Sequence, residues 1–143
     1  MHQQQFYING QWVEPAGPAR RDVINPATEA AVGAIAMGTA ADVDRAVAAA
    51  RAAFPAFAAT SREERLDLLA RILDAYKKRY DDMARAISTE MGAPLKALAG
   101  SGQAGSGLAH FKVAAAALRD FPFEKSQGST RILREPIGVC ALI

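Results

Sequence analysis

The sequence predicts an incomplete α/β fold, in which small β-hairpins come first, three helices follow and one buried parallel strand ends the chain. Three observations carry this prediction. Aromatic and β-branched residues surround Asn9-Gly10, apolar residues recur at helical spacing through the middle of the 143-residue chain, and an unbroken apolar run fills residues 137–143. Such a run is typical of a parallel strand buried on both faces. Because a buried strand needs neighbours for its hydrogen bonds, we expect this sequence to be part of a longer chain.

Residues 1–38 are predicted to form a region of short strands and turns. Phe6–Ile8 and Gln11–Val13 flank the Asn-Gly pair, which tolerates the positive φ angles of a two-residue hairpin turn. Further along the chain, we expect strand residues at Val23-Ile24, a turn at Asn25-Pro26 and another strand over 32–37.

Residues 39–120 are predicted to be helical. Thr39 and Asp42 have the spacing of a capping box at the start of the first helix, and Pro55 is expected to kink or end that helix. Of the apolar residues 32 are alanine, which favours helices but buries little area, so we also expect a thin core.

A second capping box, formed by Ser61 and Glu64, precedes the strongest helical pattern in the chain. Its apolar positions step by three and four over six turns, which predicts one long amphipathic helix. Gly92 is expected to end this helix and Pro94 to force a new start. The stripe consists of Leu66, Leu69, Leu73, Tyr76, Tyr80, Met83 and Ile87.

The third helix is predicted from about Pro94 to Leu118, and Phe121-Pro122-Phe123 ends it. Its middle, residues 100–105, matches the dinucleotide fingerprint G-x-G-x-x-G. That fingerprint requires a preceding strand, whereas the residues before Gly100 have a helical pattern. We therefore interpret the glycines as a stripe of small residues that allows close helix packing.

The last segments are predicted as an exposed strand over 129–135, within a region spanning 121–136, and the buried strand over 137–143. Cys140 lies within that buried strand, where a core residue is a better interpretation than a nucleophile. A single cysteine excludes an intramolecular disulfide and a cysteine-based zinc site. His110 is expected to pack or face solvent, and Glu90 is a weak candidate for a cation ligand.

Charge and hydropathy exclude several classes of function. The net charge is +2 and the basic residues are scattered, so a nucleic-acid partner is not expected. The sequence has neither a secretory signal nor the roughly 18 uninterrupted apolar residues of a membrane span. We expect a cytoplasmic protein with no membrane partner.

Six segments follow one another along the chain: FYINGQWV (6–13), INPATE (24–29), ADVDRAV (41–47, with Phe54 after it), REERLDLLARI (62–72), TEMGAPL (89–95) and REPIGV (134–139). Taken together, they resemble the NAD(P)-dependent aldehyde dehydrogenase superfamily. The acidic-x-Gly-x-Pro element and the R-x-P-x-G-V entry into the cofactor domain are both present in the expected order. Glu29 is a departure from many members of that family, which have glycine there, while others have an acid.

The resemblance implies the N-terminal portion of the aldehyde dehydrogenase fold, ending in the first strand of a Rossmann-like parallel sheet. A full-length member would oxidise a small-molecule aldehyde to a carboxylic acid with NAD or NADP, through a cysteine nucleophile and a glutamate general base. Neither group is in this segment, so no residue here is assigned a catalytic or cofactor-binding role, and the segment alone is expected to be inert.

The resemblance also implies that residues 1–38 and 121–136 take part in subunit association, as a homodimer or homotetramer, and that the helices pack on the cofactor domain. A monovalent cation is expected at the carbonyl groups of Val23 and Ile24 together with the carboxylate of Glu90. The alternative is a stand-alone helical interaction module, which explains the lack of catalytic residues but not the unpaired buried strand.

Overall fold

The structure is a computed structural model and describes residues 2–142. A region of short strands precedes the helices, and one more hairpin follows them. The strands are β1 (Phe6–Ile8), β2 (Gln11–Val13), β3 (Arg20–Asn25), β4 (Ala30–Ala36), β5 (Glu124–Gln127) and β6 (Thr130–Leu133). The helices are α1 (Ala40–Ala58), α2 (Arg62–Lys78), α3 (Tyr80–Met91), a π-helix (Leu95–Ala104) and α4 (Gly105–Asp120).

Within residues 2–142 the strands form three separate antiparallel pairs, β1-β2, β3-β4 and β5-β6. The predicted first hairpin is confirmed, and Asn9 and Gly10 have φ angles of 52° and 77°, as a two-residue turn requires. Glu29 ends the β3–β4 turn with φ 57°. Glycine adopts this left-handed conformation most easily, so the departure at Glu29 falls at a position where the backbone favours glycine.

The capping box at the start of α1 is confirmed, since Thr39 and Asp42 exchange side-chain and backbone hydrogen bonds. Pro55 does not end the helix, because α1 continues to Ala58. The proline has no N–H to donate, so α1 lacks one helical bond there, but the Pro55 carbonyl still accepts the N–H of Ala59.

The prediction of one long helix after Ser61 is wrong at one residue. The Ser61–Glu64 capping box is present, but Arg79, with φ −111°, separates α2 from α3. The Arg79 N–H donates to the Tyr76 carbonyl 3.0 Å away, an i to i−3 bond that closes α2 with a tighter turn. The apolar stripe continues across the break, so its period alone did not reveal it.

Helix α3 ends at Gly92, which has φ 66° as predicted for a left-handed cap. The predicted third helix is in fact two: the glycine-rich part forms the π-helix, and α4 follows directly. The chain therefore has four α-helices and a π-helix among its described residues, where the sequence predicted three helices. Phe121 ends α4 as expected.

The C-terminal prediction holds only in part. The strand expected over 129–135 is present as β6 and pairs with β5, which the sequence had not revealed. Residues 134–142 form no strand, Ile137 is 93% exposed and Cys140 is exposed. The buried strand and the buried cysteine are therefore wrong for residues 137–142, because no neighbouring strand lies beside them. Ile143 lies outside the described residues.

The core between the helices is built from small residues, as the alanine content predicted. Ala99 and Ala104 of the π-helix are completely buried, and Ala84 of α3 is buried beside them. No large side chain among the described residues is fully buried. Tyrosines supply the bulk: the Tyr80 hydroxyl donates to the Gly100 carbonyl and the Tyr76 hydroxyl to the Ala104 carbonyl.

Candidate functional site

The expected cation ligands come from two elements that meet at one glycine. A Cβ atom on Gly92 would lie 2.8 Å from the Ala27 backbone nitrogen and 3.0 Å from Pro26 Cγ. The turn after β3 therefore lies directly against the end of α3. Val23 and Ile24 precede that turn, and Glu90 lies two residues before Gly92.

The backbone is irregular at Val23 and Ile24, where the cation is expected. The pairing of β3 with β4 shifts between Val23 and Ile24, so the ladder is interrupted at these two residues. Glu90 is exposed, and its carboxylate has no ion pair within residues 2–142. The negative end of the α3 dipole adds to the attraction for a cation. Carbonyl and carboxylate oxygens are ligands that hard cations prefer, so the donor set fits an alkali ion.

Transition-metal ligands do not cluster in the same way. No group of three or more His, Cys, Asp or Glu side chains that could hold a metal ion occurs among residues 2–142. His2 stacks on Trp12 with 4.4 Å between ring centroids, and its Nδ1 is hydrogen-bonded to Gln5. His110 is exposed on α4, and Cys140 is exposed in the C-terminal segment.

Asp42 is the buried carboxylate of the described chain, at 4% exposure. It accepts from the Thr39 backbone N–H at 2.9 Å, the Thr39 hydroxyl at 2.8 Å and the Ala16 N–H at 3.0 Å. The Arg45 guanidinium donates to it at 2.6 Å. These bonds, the Thr39 backbone N–H above all, hold the pKa of Asp42 far below its usual range. With its pKa lowered, Asp42 is ionised at neutral pH, ties the segment after β2 to α1 and is unsuited to proton transfer.

The glycine-rich stretch 100–105 does not form a phosphate loop. Most of it lies in the π-helix, where the Gly105 N–H donates to the carbonyls of Gly100 and Gly102. Backbone N–H groups engaged in a helix cannot cradle a pyrophosphate. A Cβ on Gly107 would lie 2.5 Å from the Tyr76 hydroxyl, which shows how closely α4 approaches α2. These contacts agree with the interpretation as a small-residue packing stripe.

The sequence analysis missed a cluster of arginines around two phenylalanines. Arg62 and Arg65 both lie over the Phe123 ring, 5.5 and 5.9 Å from its centroid, and Arg134 lies 5.5 Å from the Phe121 centroid. The three arginines come from sites up to 72 positions apart, so no local pattern brings them together. The Phe-Pro-Phe segment, interpreted only as a helix stop, was the available signal.

No helix within the described residues is long and apolar enough to cross a membrane.

Comparison with known proteins identifies the family that shares this fold. The sequence model of the aldehyde dehydrogenase family matches residues 12–143. The 3-succinoylsemialdehyde-pyridine dehydrogenase of a Pseudomonas species is 53% identical over 97% of this chain, which spans 29% of that relative. The crystal structure of a mutant aldehyde dehydrogenase C from Pseudomonas syringae, in complex with NAD+ and octanal, is 45% identical with a TM-score of 0.91. The similarity covers 95% of this chain and 28% of that one.

The NAD+ complex of an aldehyde dehydrogenase from Mycobacterium tuberculosis has a TM-score of 0.83 at 29% identity, over 94% of this chain and 29% of that one. The fold is therefore the N-terminal part of an α/β dehydrogenase. The chain belongs to the aldehyde dehydrogenase family. It spans less than a third of the length of these relatives.

Proposed function

We propose that this chain is the N-terminal part of a cytoplasmic, NAD(P)-dependent aldehyde dehydrogenase that converts a small-molecule aldehyde into a carboxylic acid. The observation that carries the proposal is the match to the Pseudomonas syringae enzyme, which extends over 95% of this chain and was solved with NAD+ and octanal. The family match over residues 12–143 supports the same reaction class. A stand-alone interaction module does not account for identity at this level to enzymes.

The chemistry would be divided between this chain and the remainder of the protein. In the proposed reaction a cysteine thiolate attacks the aldehyde carbon, a glutamate activates the water that releases the acid, and NAD(P)+ accepts the hydride. We assign the cysteine and the glutamate to the remainder of the protein, outside this chain. The contribution of this chain is structural: residues 39–120 pack on the cofactor domain, while 1–38 and 121–136 support a homodimer or homotetramer.

A chimera tests this proposal. Residues 6–143 would replace the matching segment of the Pseudomonas syringae enzyme with its cysteine intact, and NADH formation with octanal would be followed by absorbance. We expect the chimera to keep activity within about tenfold of the parent, which corresponds to about 1.4 kcal/mol in the barrier. The 143-residue chain alone should form no NADH. A soluble, folded chimera without activity would contradict the proposal.

We also propose that Val23, Ile24 and Glu90 hold a monovalent cation. The interrupted ladder at Val23 and Ile24, the exposed Glu90 carboxylate and the adjacent end of α3 support it. Thermal unfolding in potassium chloride and in choline chloride of equal ionic strength measures the effect. We expect potassium to raise the Tm of the parent but not of Glu90→Gln. An equal Tm in the two salts for the parent would overturn this site.

A further inference from the structure

Three guanidinium groups line one cavity between the start of α2 and the segment after β6. Arg62, Arg65 and Arg134 share a cavity of about 270 Å³ with Phe123 and Glu135. No arginine of this trio forms a salt bridge within residues 2–142, whereas Arg45, Arg71, Arg79 and Arg131 each do. The cavity thus combines three positive charges with a single carboxylate that pairs with none of them.

Neutral groups hold the three guanidiniums in place. Arg62 donates to the Phe121 carbonyl, Arg134 to the Pro122 carbonyl, and Arg65 to the Thr60 hydroxyl and the Ala58 carbonyl. Aromatic rings cover their faces. A ring occupies the face of a guanidinium and leaves the N–H groups at its edge free to donate.

Most of the N–H donors of these three arginines form no hydrogen bond to another residue within residues 2–142. Three guanidiniums carry about fifteen N–H donors. The hydrogen bonds that hold them use four of these donors, and the Nε of Arg62 is buried without a hydrogen-bond partner. Hydrogen bonds from a charged guanidinium to an anion are shorter and stronger than neutral ones, so an anion that enters this cavity would be stabilised.

We propose that the cavity bounded by Arg62, Arg65 and Arg134 is an anion site that binds a phosphate group. Phosphate has at least three acceptor oxygens and nearly two negative charges at neutral pH, so each guanidinium could receive its own oxygen. A carboxylate carries a single negative charge and has fewer acceptor oxygens, so phosphate matches the charge of three guanidiniums better. This site is independent of the proposed aldehyde oxidation and of the cation site at Glu90.

Two substitutions at this cavity should change its affinity for phosphate in opposite directions. The Glu135 carboxylate lines the same cavity and repels an anion there, so Glu135→Gln should bind inorganic phosphate about two- to threefold more tightly. Arg134→Gln removes one cation and should weaken binding about tenfold. Arg71→Gln is the matched control, because Arg71 pairs with Asp67 outside the cavity and should leave affinity unchanged.

The experiment is a titration of the 143-residue chain with inorganic phosphate, with sodium chloride holding the ionic strength constant. Arginine Nε–H signals followed by NMR report each guanidinium, and circular dichroism confirms that each variant is folded. We expect saturable shifts at Arg62, Arg65 and Arg134 but not at Arg71. If Arg134→Gln unfolds, Glu135→Gln still tests the proposal, because the Glu135 side chain forms no ion pair within residues 2–142. Shifts that do not saturate, or an unchanged affinity in Glu135→Gln, would overturn the proposal.

Discussion

The helices and the C-terminal segment 134–142 both contain apolar residues, but several of those residues are buried in the helices and all of them are exposed in the segment. Ala99 and Ala104 in the π-helix are completely buried, while Ile137 and Leu142 are 93% and 99% exposed. The helical residues find neighbours within this chain, because Tyr76 and Tyr80 reach across from α2 and α3. Among residues 2–142, no strand pairs with the C-terminal segment beyond Arg134.

This difference follows from how each element satisfies its backbone. A helix pairs its own N–H and C=O groups and then needs only one packing face. A central strand needs a neighbour on each side before it can exist. Within residues 2–142 the chain thus forms helices and strands where its own residues complete these contacts, and beyond Arg134 it forms neither. Four substitutions test how much these contacts contribute to the stability of the chain.

The largest loss is expected at Asp42, where one carboxylate joins the segment after β2 to α1. Asp42→Ala removes four hydrogen bonds at a buried position and leaves the Ala16 and Thr39 N–H groups without their acceptor. We expect it to lower the urea midpoint by more than any of the other three substitutions. Asp67→Ala is the control, because Asp67 is exposed and pairs only with Arg71.

The same carboxylate makes stability depend on pH. The folded pKa of Asp42 lies far below its ordinary value of 3.8, mainly because of the Thr39 backbone N–H. The unfolded chain therefore takes up the proton first, so this stabilisation is complete above about pH 5 and decreases as the pH falls below 4. Asp42→Asn should flatten the decrease, leaving the smaller part due to Glu64, whose pKa is lowered by Ser61. An unchanged pH profile would contradict the assignment.

Gly92 is expected to have the second-largest effect. Gly92→Ala forces a side chain into a left-handed conformation and against the Ala27 backbone 2.8 Å away. Strain of about 1–2 kcal/mol and overpacking of about 1–3 kcal/mol should add, as measured by urea unfolding. Gly128→Ala is the matched control, because Gly128 also has a positive φ but its added Cβ would meet nothing within 4 Å. Equal losses in the two variants would show that contact between the turn and α3 does not matter.

Gly107 measures the close approach of α4 to α2. Gly107→Ala gains about 1 kcal/mol of helix propensity but places a Cβ 2.5 Å from the Tyr76 hydroxyl, so we expect a net loss of about 1 kcal/mol. In a Tyr76→Phe background the hydroxyl is gone, and the same substitution should cost less, with the ring carbon Cζ 3.2 Å away as the remaining close contact. A double-mutant cycle gives the coupling directly. Additive effects would mean that α4 relaxes away from the tyrosine.

Local signals predicted much of this fold. Both capping boxes, the Asn9-Gly10 turn, the Gly92 cap and the packing role of the glycines follow from side-chain hydrogen bonds or from φ preferences that a short segment contains. The break at Arg79 and the π-helix were missed, because neither alters the apolar period. The arginine cluster was missed because its members meet only after α2 and the segment after β6 pack together. The expected ligation by Val23, Ile24 and Glu90 stays a prediction.

The smallest effect is expected at Ile137, in the exposed C-terminal segment. Ile137→Ser changes a side chain that is 93% exposed, so its free energy of unfolding should stay within about 0.5 kcal/mol of the parent. Leu73→Ser, on the half-buried stripe of α2, should cost several times more by the same measurement. In the chimera with the Pseudomonas syringae enzyme the order should change, because Ile137 would then lie beside the rest of an α/β sheet. A large loss at Ile137 in the chimera but not in the isolated chain would show that missing neighbours, and not its sequence, keep this segment from forming a strand.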